Sequence, residues 1–242
     1  MTVTESSDSI GTSVPEQCDA VVLHGREVIS RTMIRECLRN RVAVLVSAEP
    51  GLSSQDLSEL LATAQVAGVP LCIANPDRFL PSRRLISEQL AAGRLGELGL
   101  VRSHRWEPYS KSPGRGTPIP GPLIRDLDLT TWYFGRSAEV VYAVERTQSG
   151  NLGAMQIDER NPSLRGQLIQ VHLAFSGGGM AVVDYNSRLP EGSSYQFLSA
   201  IGSAGLASSD SHRNTQLQFQ GGLPRGISSD ESLRGLTSLV QS

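Results

Sequence analysis

The chain has 242 residues, 39% of them hydrophobic, enough for one large domain or two small ones with real cores. Its 22 basic and 24 acidic residues are mixed along the chain for a formal net charge of -2, so no basic field for nucleic acid or an anionic membrane surface is present. No apolar run approaches the roughly 20 residues that cross a bilayer, and the polar start has no hydrophobic segment behind a basic head; the expected compartment is the cytoplasm.

Residues 1–17 are rich in Ser, Thr, Glu and Asp with little to bury, and are expected as a leader outside the fold. The run Asp19-Ala-Val-Val-Leu23 reads as a short continuous apolar strand, and Val42 to Val46 as a second; both are expected to be buried on two faces. Between them Val28, Ile29, Met33, Ile34, Cys37 and Leu38 recur at helical spacing, which makes a β-α-β unit. The pattern repeats. Ser53 or Ser54 caps a helix with Leu57, Leu60, Leu61 and Ala64 on its apolar side, Ala67-Gly68 ends it, and Pro70 to Ile73 is a third parallel strand. A further helix over 81–92 closes at Gly93, with Leu85, Ile86 and Leu90 as its inner stripe.

After Gly99 the period changes to that of strands, and a Pro/Gly-rich stretch over 108–122 follows. A short helix over 123–134 precedes strands expected at 139–146, 166–175, 180–186, 195–201 and 215–219. Alternation is clear in 166–175, where Ile169, Val171, Leu173 and Phe175 face one way and Gln170, His172 and Ala174 the other. Gly177-Gly178-Gly179 then joins two antiparallel strands as a hairpin turn. The domains expected are thus a leader (1–17), a partial Rossmann-like β-α-β-α-β-α unit (18–98) and a mostly antiparallel sheet domain with a short helix (99–242), an α/β plus α+β chain. Cys18, Cys37 and Cys72 are odd in number and unpaired in spacing, so they are expected as buried thiols; with His24, His104, His172 and His212 they make no metal-ligand pattern.

Several words along this frame resemble the Gfo/Idh/MocA oxidoreductases, the glucose-fructose oxidoreductase and inositol dehydrogenase group. Val44-Leu-Val-Ser-Ala-Glu-Pro50 is similar to the segment carrying that family's Glu-Lys-Pro motif. Ala67-Gly-Val-Pro-Leu71, Asp77-Arg-Phe-Leu-Pro81 and Gly93 to Arg102 are similar to consecutive family signatures in the same order. Arg125-Asp-Leu-Asp-Leu-Thr-Thr-Trp-Tyr-Phe-Gly135 resembles the family helix His-Asp-x-Asp-Leu-x-x-Trp, and Ala200 to Gly205 a late Gly-Thr-x-Gly turn. The resemblance covers 19–239 and implies a sugar or polyol dehydrogenase ancestry.

It also implies residues that are not kept. The family's dinucleotide turn, Gly-x-Gly-x-x-Gly between a strand and a helix, has no counterpart here, so no cofactor is expected for the isolated chain. The position of the family Lys falls on Ala48 or Glu49, that of its His on Arg125, and that of the Asp four residues earlier on Gly121. An arginine stays protonated and cannot serve as a base near neutrality. Residues around a remnant cleft would be His24, Arg78, Arg125, Asp126 and Asp128. The plainer reading makes the two aspartates complements to a helix macrodipole, His24 a loop residue, and Arg78, Arg83, Arg84 and Arg125 a solvated or paired face; Trp106, Trp132 and Tyr133 read as packing residues.

The expectation is therefore a non-catalytic homologue acting as a structural or regulatory partner. It would be a homo-oligomer, or a hetero-oligomer with a full-length relative, joined through the open face of its large sheet as the resemblance implies. The alternatives are an NAD(P)-dependent sugar or polyol oxidoreductase completing its cofactor site with another chain, and a small-ligand sensor. The strand at 19–23 is expected to need cover from a second chain along its free edge.

Overall fold

A computed structural model of the chain describes residues 18–23, 31–46, 52–108, 119–147, 167–189, 193–210, 215–219 and 225–228. The chain divides into two compact units, Met1–Pro76 with Gly114–Pro120, and Asp77–Pro113 with Gly121–Ser242.

In the first unit β1 (Ala20–Leu23), α1 (Arg31–Arg39), β2 (Ala43–Val46), α2 (Ser54–Ala67) and β3 (Leu71–Ile73) follow one another, and the strands form a parallel sheet in the order β1-β2-β3. Helix α2 starts where the sequence directs. The Ser53 hydroxyl accepts from the Asp56 N–H at 3.1 Å and the Asp56 carboxylate accepts from the Ser53 N–H at 3.2 Å, a reciprocal cap. It stops at Gly68, whose φ of 72° a residue with a side chain rarely adopts. Ile34, Cys37 and Leu38 of α1 and Leu60 and Ala64 of α2 bury themselves on Leu23, Val44 and Val46.

Two expectations change here. Strand β1 is not buried on two faces: Val22 is 63% exposed, because the core lies on the face of Leu23 and Val46 while Val22 shares the opposite face, in register with Leu45 and Cys72. For the same reason Cys72 is exposed; Cys18 is partly buried, and only Cys37 is enclosed. Among the described residues, strand β1 is an edge in this sheet. The Ala43 N–H donates to the Asp19 carbonyl, so by strand alternation the amides of Ala20 and Val22 turn away from β2.

A 3-10 turn (Pro76–Phe79) leads into the second unit, which holds α3 (Pro81–Ala91), β4 (Leu98–Pro108), α4 (Gly121–Phe134), β5 (Ala138–Thr147), β6 (Gln167–Phe175), β7 (Met180–Leu189), β8 (Tyr195–Gly202), β9 (Leu206–Asp210), β10 (Thr215–Phe219) and β11 (Arg225–Ser228). Its sheet has the order β11-β10-β9-β8-β4-β7-β6-β5, with β4 parallel to β7 and the other pairs antiparallel. One face is the core. Val171 and Leu173 of β6, Ala181 and Val183 of β7, Val101 of β4 and Leu198 of β8 are buried with Leu123, Leu129 and Tyr133 of α4 and Ile86 of α3. Helix α3 belongs to this unit, and its enclosed stripe is Arg83, Ile86 and Gln89 rather than Leu85, Ile86 and Leu90. Leu90 packs at the margin of the core and Leu85 is half-buried, because the helix turns a polar side chain toward β9.

The Gly177–Gly179 hairpin has positive φ at all three residues, 70°, 99° and 94°. At Gly179 a Cβ would stand 2.5 Å from Phe134 Cε1 and 3.1 Å from the Leu98 carbonyl, so only glycine lets the turn close on α4 and β4. Strands β9 and β11 are additional to the expected ones; pairing with β8 and β10 makes Leu206–Asp210 a strand.

Candidate functional site

The polar residues of the second unit's core gather where β4, α4 and the 3-10 turn meet. On β4, Val101, Ser103, Arg105 and Glu107 share the inner phase of the pleat, so the strand that begins apolar carries a guanidinium into the core two pleats later. Arg105 donates through Nε and Nη2 to the two carboxylate oxygens of Asp126 at 2.7 and 2.8 Å, and Nη2 also pairs with Asp77 of the 3-10 turn. Gln196 of β8, beside Arg105 in register, donates to Asp126 Oδ1 at 3.3 Å. Asp126 is 0% exposed. Arg125 Nε lies 3.7 Å from Asp77 Oδ2, and Glu107 Oε1 lies 3.6 Å from Arg105 Nη1.

Burial alone would weaken the charge on Arg105, but the hydrogen bonds and negative charge of Asp126, helped by Asp77, hold its pKa above the usual arginine value. Glu107 is the opposite case: burial pushes its carboxyl up from the ordinary glutamate value against the pull of Arg105 and Arg125. Burial likewise raises the Tyr133 phenol, whose hydroxyl donates to the Arg83 carbonyl at 3.1 Å, and lowers Arg83.

Of the residues singled out from the sequence, the structure brings Arg78, Arg125, Asp126 and Asp128 into this one region. Arg78 donates through Nε and Nη2 to Asp128 at 2.7 and 2.5 Å and its guanidinium stands 5.5 Å over the Trp132 ring. Gly121 is the first residue of α4. His24, Ala48 and Glu49 lie outside the described residues. The macrodipole reading of Asp126 and Asp128 gives way: α4 begins at Gly121, so both sit beyond its first turn, where the dipole has faded, and each is held by an arginine. Arg83 is buried and has no ion pair among the described residues, and Arg84 is exposed beside Glu88 at 3.8 Å. Arg105, Asp77, Glu107 and Gln196 escaped the sequence reading; the one available signal was an arginine in phase with Val101 on an otherwise ordinary strand.

Chemically this is a neutralised cluster. A carboxylate with no exposure and both oxygens in a guanidinium fork is shut off from a substrate proton. A dinucleotide does not fit the described start of α2, because Ser53 and Asp56 occupy its free end and Asp56 sets a negative charge where a pyrophosphate would lie.

No family model and no curated protein matches the sequence. Solved structures do. Biliverdin reductase from Synechocystis, in complex with biliverdin and NADP+, superposes with a TM-score of 0.69 at 19% identity over 87% of this chain and 65% of its own. An inositol dehydrogenase homolog from Azotobacter vinelandii, complexed with NADH and myo-inositol, gives 0.70 at 14% over 90% and 57%. An oxidoreductase from Pseudomonas syringae gives 0.67 at 16% over 87% and 56%. The chain thus spans between 56% and 65% of the length of these proteins. At such identities the likeness is one of fold, and over the part it spans this chain has the fold of the Gfo/Idh/MocA-type oxidoreductases.

Proposed function

We propose that the chain is a degenerate relative of these oxidoreductases that does not transfer hydride by itself and works as a structural or regulatory subunit, in copies of itself or with a longer relative. The observation that carries this reading is on α4: Arg125 stands at the family's His position and Gly121 at that of its Asp, while Asp126, kept from the motif, is the buried partner of Arg105. Both support a helix that has been turned from chemistry to packing.

The subunit role is supported by the outer face of the large sheet. Val140, Tyr142 and Val144 of β5, Leu168 of β6, Met180 of β7 and Trp106 of β4 share that face by register and are each 38–64% exposed. Between them runs a polar row in which His104 Nδ1 and Gln170 Nε2 both reach the Asp184 carboxylate at 2.7 Å. An apolar face with a satisfied polar centre suits a second protein surface.

Light scattering on the eluting protein should give an assembly larger than one chain at micromolar concentration, and Tyr142→Asp with Val144→Asp should shift it toward the monomer. A clean monomer overturns the subunit reading. NAD-dependent oxidation of myo-inositol above a no-protein blank overturns the non-catalytic reading.

A further inference from the structure

Among the arginines around α3 and α4 in the second unit, two use the same edge in the same way. Arg78 and Arg105 each offer Nε and Nη2 to both oxygens of an aspartate. Arg83 does not. It is 2% exposed, its side-chain hydrogen bond runs from Nη1 to the Ser209 hydroxyl, and its Nε is buried with no partner. The nearby carboxylates Asp77 and Asp126 are already engaged by Arg105, so among the described residues the Arg83 charge has no ion-pair partner of its own. A buried cation without one is among the most unfavourable groups a fold can hold. A second buried atom without a partner, Ser103 Oγ, faces the same layer: Ser103, Leu198 and Ser209 form one cross-strand row on the inner face of β4, β8 and β9.

We propose that the Nε–Nη2 edge of Arg83 is the anchor of a small-carboxylate site, in which a monocarboxylate ligand takes the place that Asp126 takes on Arg105 and Asp128 on Arg78. The planar fork of a guanidinium matches two carboxylate oxygens. A singly charged carboxylate neutralises this cation, whereas a doubly charged phosphate would carry excess charge into a layer that shares its core with Ile86 and Leu198. This site stands apart from the proposed subunit role and does not depend on it.

Thermal unfolding of the full chain in sodium acetate, against sodium chloride and sodium phosphate at equal ionic strength, tests the assignment. Acetate should raise Tm in a saturable way beyond the chloride baseline. Arg83→Met should lose that increment entirely while its Tm in chloride does not fall, because an unpaired buried charge has been removed. Arg83→Lys, which keeps the charge without the fork, provides a second variant if Arg83→Met does not fold, and should lose the increment too. The Nε–H resonance of Arg83 should shift on acetate addition in the native protein. An acetate effect no larger than that of chloride, an effect that persists in both variants, or stabilisation by phosphate alone would overturn the proposal.

Discussion

Replacing Asp126 by Asn keeps the shape of the side chain and removes the charge that Arg105 is built around. Arg105 is 6% exposed and Asp126 0%, so the guanidinium has little access to water, and its remaining charged partners among the described residues are Asp77 at Nη2 and Glu107 at 3.6 Å. Breaking a buried pair in this way costs about 3–5 kcal/mol. In a chain of this size each kcal/mol moves Tm by about 2–4 °C, so the loss should be on the order of 10 °C. Two residues along the same helix, Asp128 pairs with Arg78 across side chains that are 32% and 37% exposed, where solvent screens the interaction and the loss in Asp128→Asn should stay below about 1 kcal/mol. Both tryptophans, Trp106 and Trp132, lie in the second unit, so intrinsic fluorescence followed through urea unfolding reports on the unit that carries both pairs. Equal losses in the two variants, or an Asp126→Asn loss below about 1 kcal/mol, would refute the view that this pair anchors α4 to β4.

Glu107 gives a prediction with pH. Its carboxyl is raised in the folded chain, so its favourable contribution is complete below the ordinary glutamate value and is lost as pH rises through the folded one. Glu107→Gln cannot ionise, and its stability relative to the native chain should therefore improve as pH rises from the ordinary glutamate value of roughly 4 and level off above the folded one; a difference that stays flat throughout would contradict the burial argument. At the hairpin, Gly178→Ala meets nothing within 4 Å and should cost only its backbone conformation at φ 99°, on the order of 1 kcal/mol. Gly179→Ala adds the collision with Phe134 and should cost about 1–3 kcal/mol more, measured by the same unfolding; equal costs would mean that Phe134 moves aside freely.

The sequence by itself determined the order of the elements and most of their ends. Ser53 and Gly68 bracket α2 because a cap and a left-handed residue act within a few positions of themselves, and Ile169 to Phe175 declare the inner face of β6 because pleat alternation is local. The same is true of the motif order that led to the oxidoreductase fold. Tertiary structure decided what the charges do. Nothing near Arg105 in the chain says that Asp77 and Asp126, 28 and 21 residues away, will meet it, or that Arg83 will face Ser209 across a separation of 126. Ion pairing inside a core depends on which strands lie side by side. Strand pairing likewise made a strand of Leu206–Asp210, which the sequence did not mark as one, and left Val22 and Cys72 on the exposed side of a sheet whose strands read as buried. Local periodicity names the elements; the partner that each face meets is a property of the assembled layers.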